Sequence, residues 1–199
     1  MKNNFYNDSI VLLQGAITDI NGKLDLIRKY KLQKNGKDPI EYIISRIKTE
    51  ESMKEKLKKK GYEVTLENAL TKVHDAAGVR IICAYIDDVY AVVEMLKKYS
   101  DLKLINEKDY IKNPKANGYR SYHLVFELAL DLAGEIKPVY IEIQIRTIAM
   151  DFWSNLEHQM KYKKDIKNPE LIGKELKRCA DEIATVDLNM QTIRNMINE

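Results

Sequence analysis

The densest chemistry in this chain lies at 139–146. A period of two sends Val139, Ile141, Ile143 and Ile145 to one face of a strand and Tyr140, Glu142, Gln144 and Arg146 to the other. The aliphatic face calls for burial. On alternation alone the polar face meets water as readily as a substrate. A carboxylate, an amide and a guanidinium in line nevertheless make a reactive surface. A second set stands at 119–123, where alternation puts Tyr119, Ser121 and His123 on one side, after a turn at Gly118 that Lys115 precedes. A ring for stacking beside cations for phosphates has the parts of a nucleotide site, although an ordinary hairpin edge has a similar composition. The third set is Asp75-Ala76-Ala77-Gly78-Val79-Arg80, which places a carboxylate at the mouth of a strand. Such an oxygen is a natural Mg²⁺ ligand and equally an ordinary turn residue. If Asp75 and Glu142 lie on adjacent strands, the pair can hold one Mg²⁺ against a polyphosphate, an arrangement suited to phosphoryl transfer.

Other chemistries are excluded by spacing. Glu157-His158 has no second histidine at the zinc-protease distance, and His74, His123 and His158 form no ligand cluster. No phosphate-binding P-loop, nucleophile elbow or dinucleotide-binding glycine motif occurs.

The elements that must position these residues follow from periodicity. Ile10, Leu13, Ile17, Ile20, Leu24 and Ile27 recur at steps of 3, 4, 3, 4, 3, which paints one narrow stripe on a helix. So regular a seam either covers the core or joins another subunit, and the shortness of the chain favours the subunit contact. Asn35-Gly36-Lys37-Asp38-Pro39 breaks that helix, and a second helix is expected over 39–60, ending at Gly61. A short helix over 66–73 leads to a central strand at 79–86, and Asp87-Asp88 is expected to cap a helix reaching Tyr99. Strands are expected near 102–111, 120–130 and 137–146, the last two joined by a hairpin at Ala133-Gly134-Glu135. Helices near 147–163 and 169–196 complete the chain. The order predicts an α/β (α+β) fold, a mixed sheet flanked by helices. Three parts are expected: an N-terminal oligomerisation helix over 1–38, a catalytic domain over 39–165, and a C-terminal helix over 166–199 for packing or oligomerisation.

Composition bounds the setting. With 33 basic and 30 acidic residues the net charge is +3, too balanced for a dedicated nucleic-acid binder. Basic residues do cluster, at Lys54, Lys56, Lys58, Lys59 and Lys60 and at Lys161, Lys163 and Lys164, either as solvated helix faces or as phosphate contacts. No apolar run approaches the ~20 residues that span a bilayer. The N-terminus lacks an export signal, and Cys83 and Cys179 show no metal spacing. These features predict a cytoplasmic protein without membrane contact.

Taken together, PIEYIISRIK (39–48), DAAGVR (75–80), KDYIKNPKANGYRSYH (108–123) and VYIEIQIRTIAMDFWSNLEHQMKYK (139–163) resemble the synthetase domain of the RelA/SpoT group. The length is similar to that of its stand-alone small alarmone synthetases (RelP/RelQ type). The resemblance covers about 40–199 in the family's order and spacing. It implies transfer of pyrophosphate from ATP to the 3′-hydroxyl of GDP or GTP, giving AMP and ppGpp or pppGpp, with Mg²⁺ as cofactor. A chain of this length leaves no room for the hydrolase domain of the long members.

The resemblance also implies roles. Asp75 and Glu142 match the metal-holding acids, and Glu142 the candidate base for the 3′-hydroxyl. Arg46 and Arg80 match arginines that sandwich adenine. Lys48 and Lys56 match basic residues near the ATP phosphates. Tyr119 matches the tyrosine that stacks on guanine, Lys115 and His123 the acceptor-phosphate contacts, and Gln144 and Arg146 the motif that shapes the site. Asp151 stands where some members carry asparagine near the guanine edge, and Ala76 where a larger aliphatic is common. The resemblance further implies a homotetramer, with allosteric (p)ppGpp or single-stranded RNA as additional partners. Tyr42 matches an aromatic position in the family's product-binding cleft. Three rival readings stand beside it: a catalytically silent nucleotide- or RNA-binding regulator, an oligomeric interaction protein, and another nucleotidyltransferase on the same fold.

Overall fold

The computed structural model describes residues 5–161 and 168–198. The mixed sheet flanked by helices appears as the sequence predicts, with one strand more than expected. In chain order they are α1 (Ser9–Asn35), β1 (Tyr42–Ile47), α2 (Glu50–Lys59), α3 (Leu66–Thr71), β2 (Ala77–Cys83), α4 (Ile86–Leu96), β3 (Leu102–Asp109), β4 (Tyr122–Leu132), β5 (Glu135–Thr147), α5 (Ile148–Lys161) and α6 (Pro169–Asn198). The five strands lie in the order β1-β2-β5-β4-β3. Only β2 and β5 run parallel, and every other neighbouring pair is antiparallel. The β4–β5 hairpin turns through Ala133 and Gly134, both at positive φ (56° and 96°), the conformation a tight two-residue hairpin requires.

The helix expected over 39–60 is instead a strand and a shorter helix. Ile40, Ile43, Ile44 and Ile47 mimic helical spacing, but Tyr42–Ile47 pairs antiparallel along the free edge of β2. β-branched side chains suit that pleated edge. A new helix starts only at Thr49, whose side chain accepts from the Ser52 N–H. Gly61 follows α2 at φ 74°, the left-handed residue expected there. Asp87 and Asp88 are not caps. They occupy the first turn of α4, where their charge still favours the helix dipole, and Tyr85 holds the cap position.

The stripe on α1 is also corrected. Leu13, Ile20, Leu24 and Ile27 are buried within this chain, against the aliphatic face of the sheet. That face carries Val79, Ile81, Ile141, Ile143, Ile145, Leu124 and Phe126, all buried, and α4 adds Val89, Val92, Val93 and Leu96. The seam therefore closes the core of this chain, with Ile10 and Ile17 only partly buried at its margin.

Helix α6 ties the other elements together. Trp153 Nε1 donates to the Leu176 carbonyl (2.9 Å), Thr147 Oγ1 to Asp187 (2.7 Å), and Arg194 pairs with Asp88 at the start of α4 (2.8 Å). Lys163 and Lys164, with the expected end of the preceding helix, lie outside the described residues. Among the described residues no helix is long and apolar enough to cross a membrane.

Candidate active site

The pleat turns one side chain in two toward the opposite face of the sheet, and registry lines these up across strands. Arg46 on β1 lies opposite Gly78 on β2, which lies opposite Glu142 on β5; Arg80 is registered with Gln144, and Gln144 with His123 on β4. A cleft on this face is lined by Ile44, Arg46, Asp75, Gly78, Val79, Arg80, Glu142 and Gln144. Three separate stretches of sequence thus converge, and the adjacency of Asp75 and Glu142 is met: Asp75 enters β2 beside β5.

At one end of the cleft, Asp75 Oδ2 receives both Lys48 Nζ (3.0 Å) and Lys56 Nζ (2.6 Å). Its Oδ1 is buried without a hydrogen-bond partner. An unpartnered buried carboxylate oxygen is costly unless something else meets it. Asp75 and Glu142 therefore fit a hard cation that takes one or two carboxylates and completes its shell with water and phosphate. Among the described residues no group of three or more such ligands occurs, so the protein alone offers no complete cage.

Glu142 sits in a charged setting. Burial raises its pKa, but His123, whose Nδ1 lies 3.5 Å away, the Gln144 amide (2.7 Å) and the Lys56 charge outweigh it and bring it down to about 2. The carboxylate is ionised throughout the neutral range.

Beside the cleft, behind Gln144, a second cluster is built around Arg146, which is only 2% exposed. Its Nη2 donates to Tyr119 Oη (2.7 Å) and Gln144 Oε1 (3.0 Å), its Nη1 to Asp151 Oδ1 (3.0 Å), and its Nε to Ser121 Oγ (3.3 Å). Tyr119 Oη also bonds His123 Nε2 (2.8 Å). The Tyr119 ring has Lys115 Nζ 4.8 Å and the Arg146 guanidinium 5.1 Å from its centre, and Lys115 lies 4.7 Å from the Tyr110 ring as well. The loop bearing these groups is held from behind. Gly118 stands at φ 89°, and a Cβ there would collide with Ala180 of α6. Arg120 donates to the Ala180 carbonyl (3.2 Å).

Arg46 and Arg80 lie on adjacent strands near enough to repel. Burial lowers the Arg80 pKa first, the charges of Arg146 and Arg46 lower it further, and Asp151 opposes them. Asp151 is buried and takes Arg80 Nη1 (3.2 Å) besides Arg146, with Asn155 on its other oxygen (2.9 Å).

The match to known proteins decides the family. Residues 45–167 match the model described as "Region found in RelA / SpoT proteins". The chain belongs to the RelA/SpoT family. GTP pyrophosphokinase YwaC of Bacillus subtilis is 40% identical over 193 residues, spanning 97% of this chain and 92% of that protein. GTP pyrophosphokinase YjbM of the same organism is 35% identical, over 96% and 89%. The crystal structure of small alarmone synthetase 1 from Bacillus subtilis bound to its product pppGpp superposes with a TM-score of 0.85 at 36% identity, covering 94% of this chain and 95% of that one.

Within this RelA/SpoT chain, every candidate site residue lies on or beside the polar face of the sheet. Three participants were missed: Tyr110, Ser121 as an acceptor for Arg146, and Asn155. Asn155 carries a weak signal, since it lies four positions after Asp151 on α5 and so shares its helix face. Tyr110 carries none beyond its place in KDYIKNPKANGYRSYH.

Proposed function

We infer that this chain is a GTP pyrophosphokinase, transferring the β,γ-pyrophosphate of ATP to the 3′-hydroxyl of GDP or GTP. The observation that carries this reading is the convergence of Asp75 and Glu142 in one cleft, with two arginines at one side and the Tyr119–His123–Arg146 cluster at the other. A silent regulator would not need both carboxylates, and both are in place.

In this reading adenine lies between Arg46 and Arg80, whose planar guanidiniums suit stacking. The phosphates meet Lys48 and Lys56, already gathered on Asp75. Guanine stacks on Tyr119, displacing Lys115 toward the acceptor's phosphates, with His123 beside them. Asp75 and Glu142 would hold Mg²⁺, which would neutralise charge on the polyphosphate. The acceptor 3′-oxygen forms its bond to the β-phosphorus as the bond from that phosphorus to the bridging oxygen of AMP breaks. AMP departs with that oxygen, and the hydroxyl proton passes to Glu142 or to water. Most of the acceleration comes from positioning and fixed charge.

A homotetramer fits the same reading. A surface that supports it is the exposed apolar set on α5 and α6, including Phe152, Val186, Met190 and Ile193.

The test is to incubate the purified protein with Mg²⁺, labelled ATP and either GDP or GTP, and to separate the nucleotides. Equal amounts of AMP and a 3′-pyrophosphorylated guanosine are expected. Binding of both nucleotides without product, with or without added pppGpp, overturns the reading.

A further inference from the structure

One carboxylate oxygen in this cleft serves two masters. Asp151 Oδ1 accepts from Arg80 Nη1 at 3.2 Å and from Arg146 Nη1 at 3.0 Å. Asp151 is 3% exposed and Arg146 2%, so the contact is screened little by water. The two arginines serve different groups, Arg80 in the cleft lining and Arg146 buried behind Gln144. Arg80 lines the side lined by Arg46 and Asp75, whereas Arg146 reaches Tyr119 Oη through Nη2.

We propose that Asp151 is a positioning residue that couples the two substrate halves, because the donor-side and acceptor-side arginines share its Oδ1. This deepens the proposed function and rests on its assignment of Arg80 to ATP and Tyr119 to the guanine nucleotide.

The chemistry gives the coupling a sign. A carboxylate oxygen shared by two guanidiniums holds each less firmly than it would hold one. When adenine draws Arg80 flat against its own ring, the Arg80–Asp151 bond loosens and the oxygen is left to Arg146. The tighter Asp151–Arg146 pair then fixes Nη2 on Tyr119, the ring on which guanine stacks. ATP thereby strengthens acceptor binding, and by linkage the acceptor strengthens ATP binding by the same factor. Asn155 belongs to the device. It donates to Asp151 Oδ2 (2.9 Å) and accepts from Arg80 Nη1 (3.3 Å), so it holds the carboxylate in the orientation that both arginines use. Arg80 Nε is buried with no hydrogen-bond partner. Arg80 is thus the less satisfied of the two, and the one that a ligand moves more readily.

The experiment measures dissociation constants for GDP by calorimetry, with and without saturating α,β-methylene ATP, whose bridging carbon blocks transfer. Wild type is expected to bind GDP at least about fivefold tighter with the analogue present. In Asp151→Asn, nearly the same shape without the charge, the ratio is expected to fall below about twofold. Asn155→Ala, which leaves both charges in place, is expected to give an intermediate ratio. Should Asp151→Asn fail to fold, Asn155→Ala decides the matter alone. A residue that only supports the fold weakens both constants in parallel and leaves the ratio unchanged. That result in the folded variants, or a wild-type ratio of one, overturns the coupling while leaving the catalytic reading intact. Failure of wild type to bind either nucleotide overturns the site assignment itself.

Discussion

The two faces of the sheet are made from the same strands and answer to different demands. On β5 the residues Ile141, Ile143 and Ile145 are fully buried beneath α1 and α4. Their neighbours Glu142, Gln144 and Arg146 share a hydrogen-bonded network with His123, Tyr119 and Asp151. One face is held by apolar area, which is non-directional, so many combinations of aliphatic side chains would serve. The other is held by directed bonds between charges, where each group has particular partners. Stability and chemistry are therefore separable here by a step of one residue along a strand.

That separation predicts opposite outcomes for substitutions on the two faces. Glu142→Gln should lower turnover by at least about a hundredfold. Its thermal melt, followed by circular dichroism, should stay close to wild type; an equal loss of folded protein would erase the distinction. On the apolar face, Leu24→Ala should cost about 2–5 kcal/mol in a denaturant titration. The specific activity of the folded fraction should be kept. Tyr119→Ala sharpens the comparison within the polar face. Loss of base stacking, worth about 1–3 kcal/mol, should raise the KM for GDP or GTP roughly 5- to 150-fold. The KM for ATP in steady-state assays should hardly move.

The smallest effect concerns Asp187, a buried residue of α6, where burial raises its pKa above 3.8 despite the hydrogen bond from Thr147 and the charge of Arg120. A carboxyl group whose pKa is raised on folding stabilises the fold below pH 3.8, and that contribution fades as pH rises through the folded value. Asp187→Asn, able to accept the same bond, should therefore match wild type in acid. At neutral pH its melting temperature should be higher than that of wild type. A lower melting temperature at neutral pH would contradict this.

How much of this was legible follows from the range of each signal. The alternation at 139–146 is local, and it yielded both faces of β5 and the site residues on one of them. The hairpin at Ala133-Gly134 is local too. Strand β1 was misread because Ile40, Ile43, Ile44 and Ile47 satisfy helical spacing, while what makes them a strand is β2, some thirty-five positions further on. The α1 period revealed a buried stripe without revealing what buries it. Family resemblance brought Asp151 to the guanine side. Its place between two arginines depends on Arg80, 71 positions away, and no local pattern encodes that pairing.

The contact between Gly118 and Ala180 has a consequence in time. A chain leaves the ribosome from its N-terminus at about 5–20 residues per second. The strands and the carboxylates Asp75 and Glu142 emerge before α6, whereas the loop at Gly118 rests on residues made about 60 positions after it. That interval is roughly 3–12 s at those rates. The loop at Gly118 thus gains its backing only once α6 has been made.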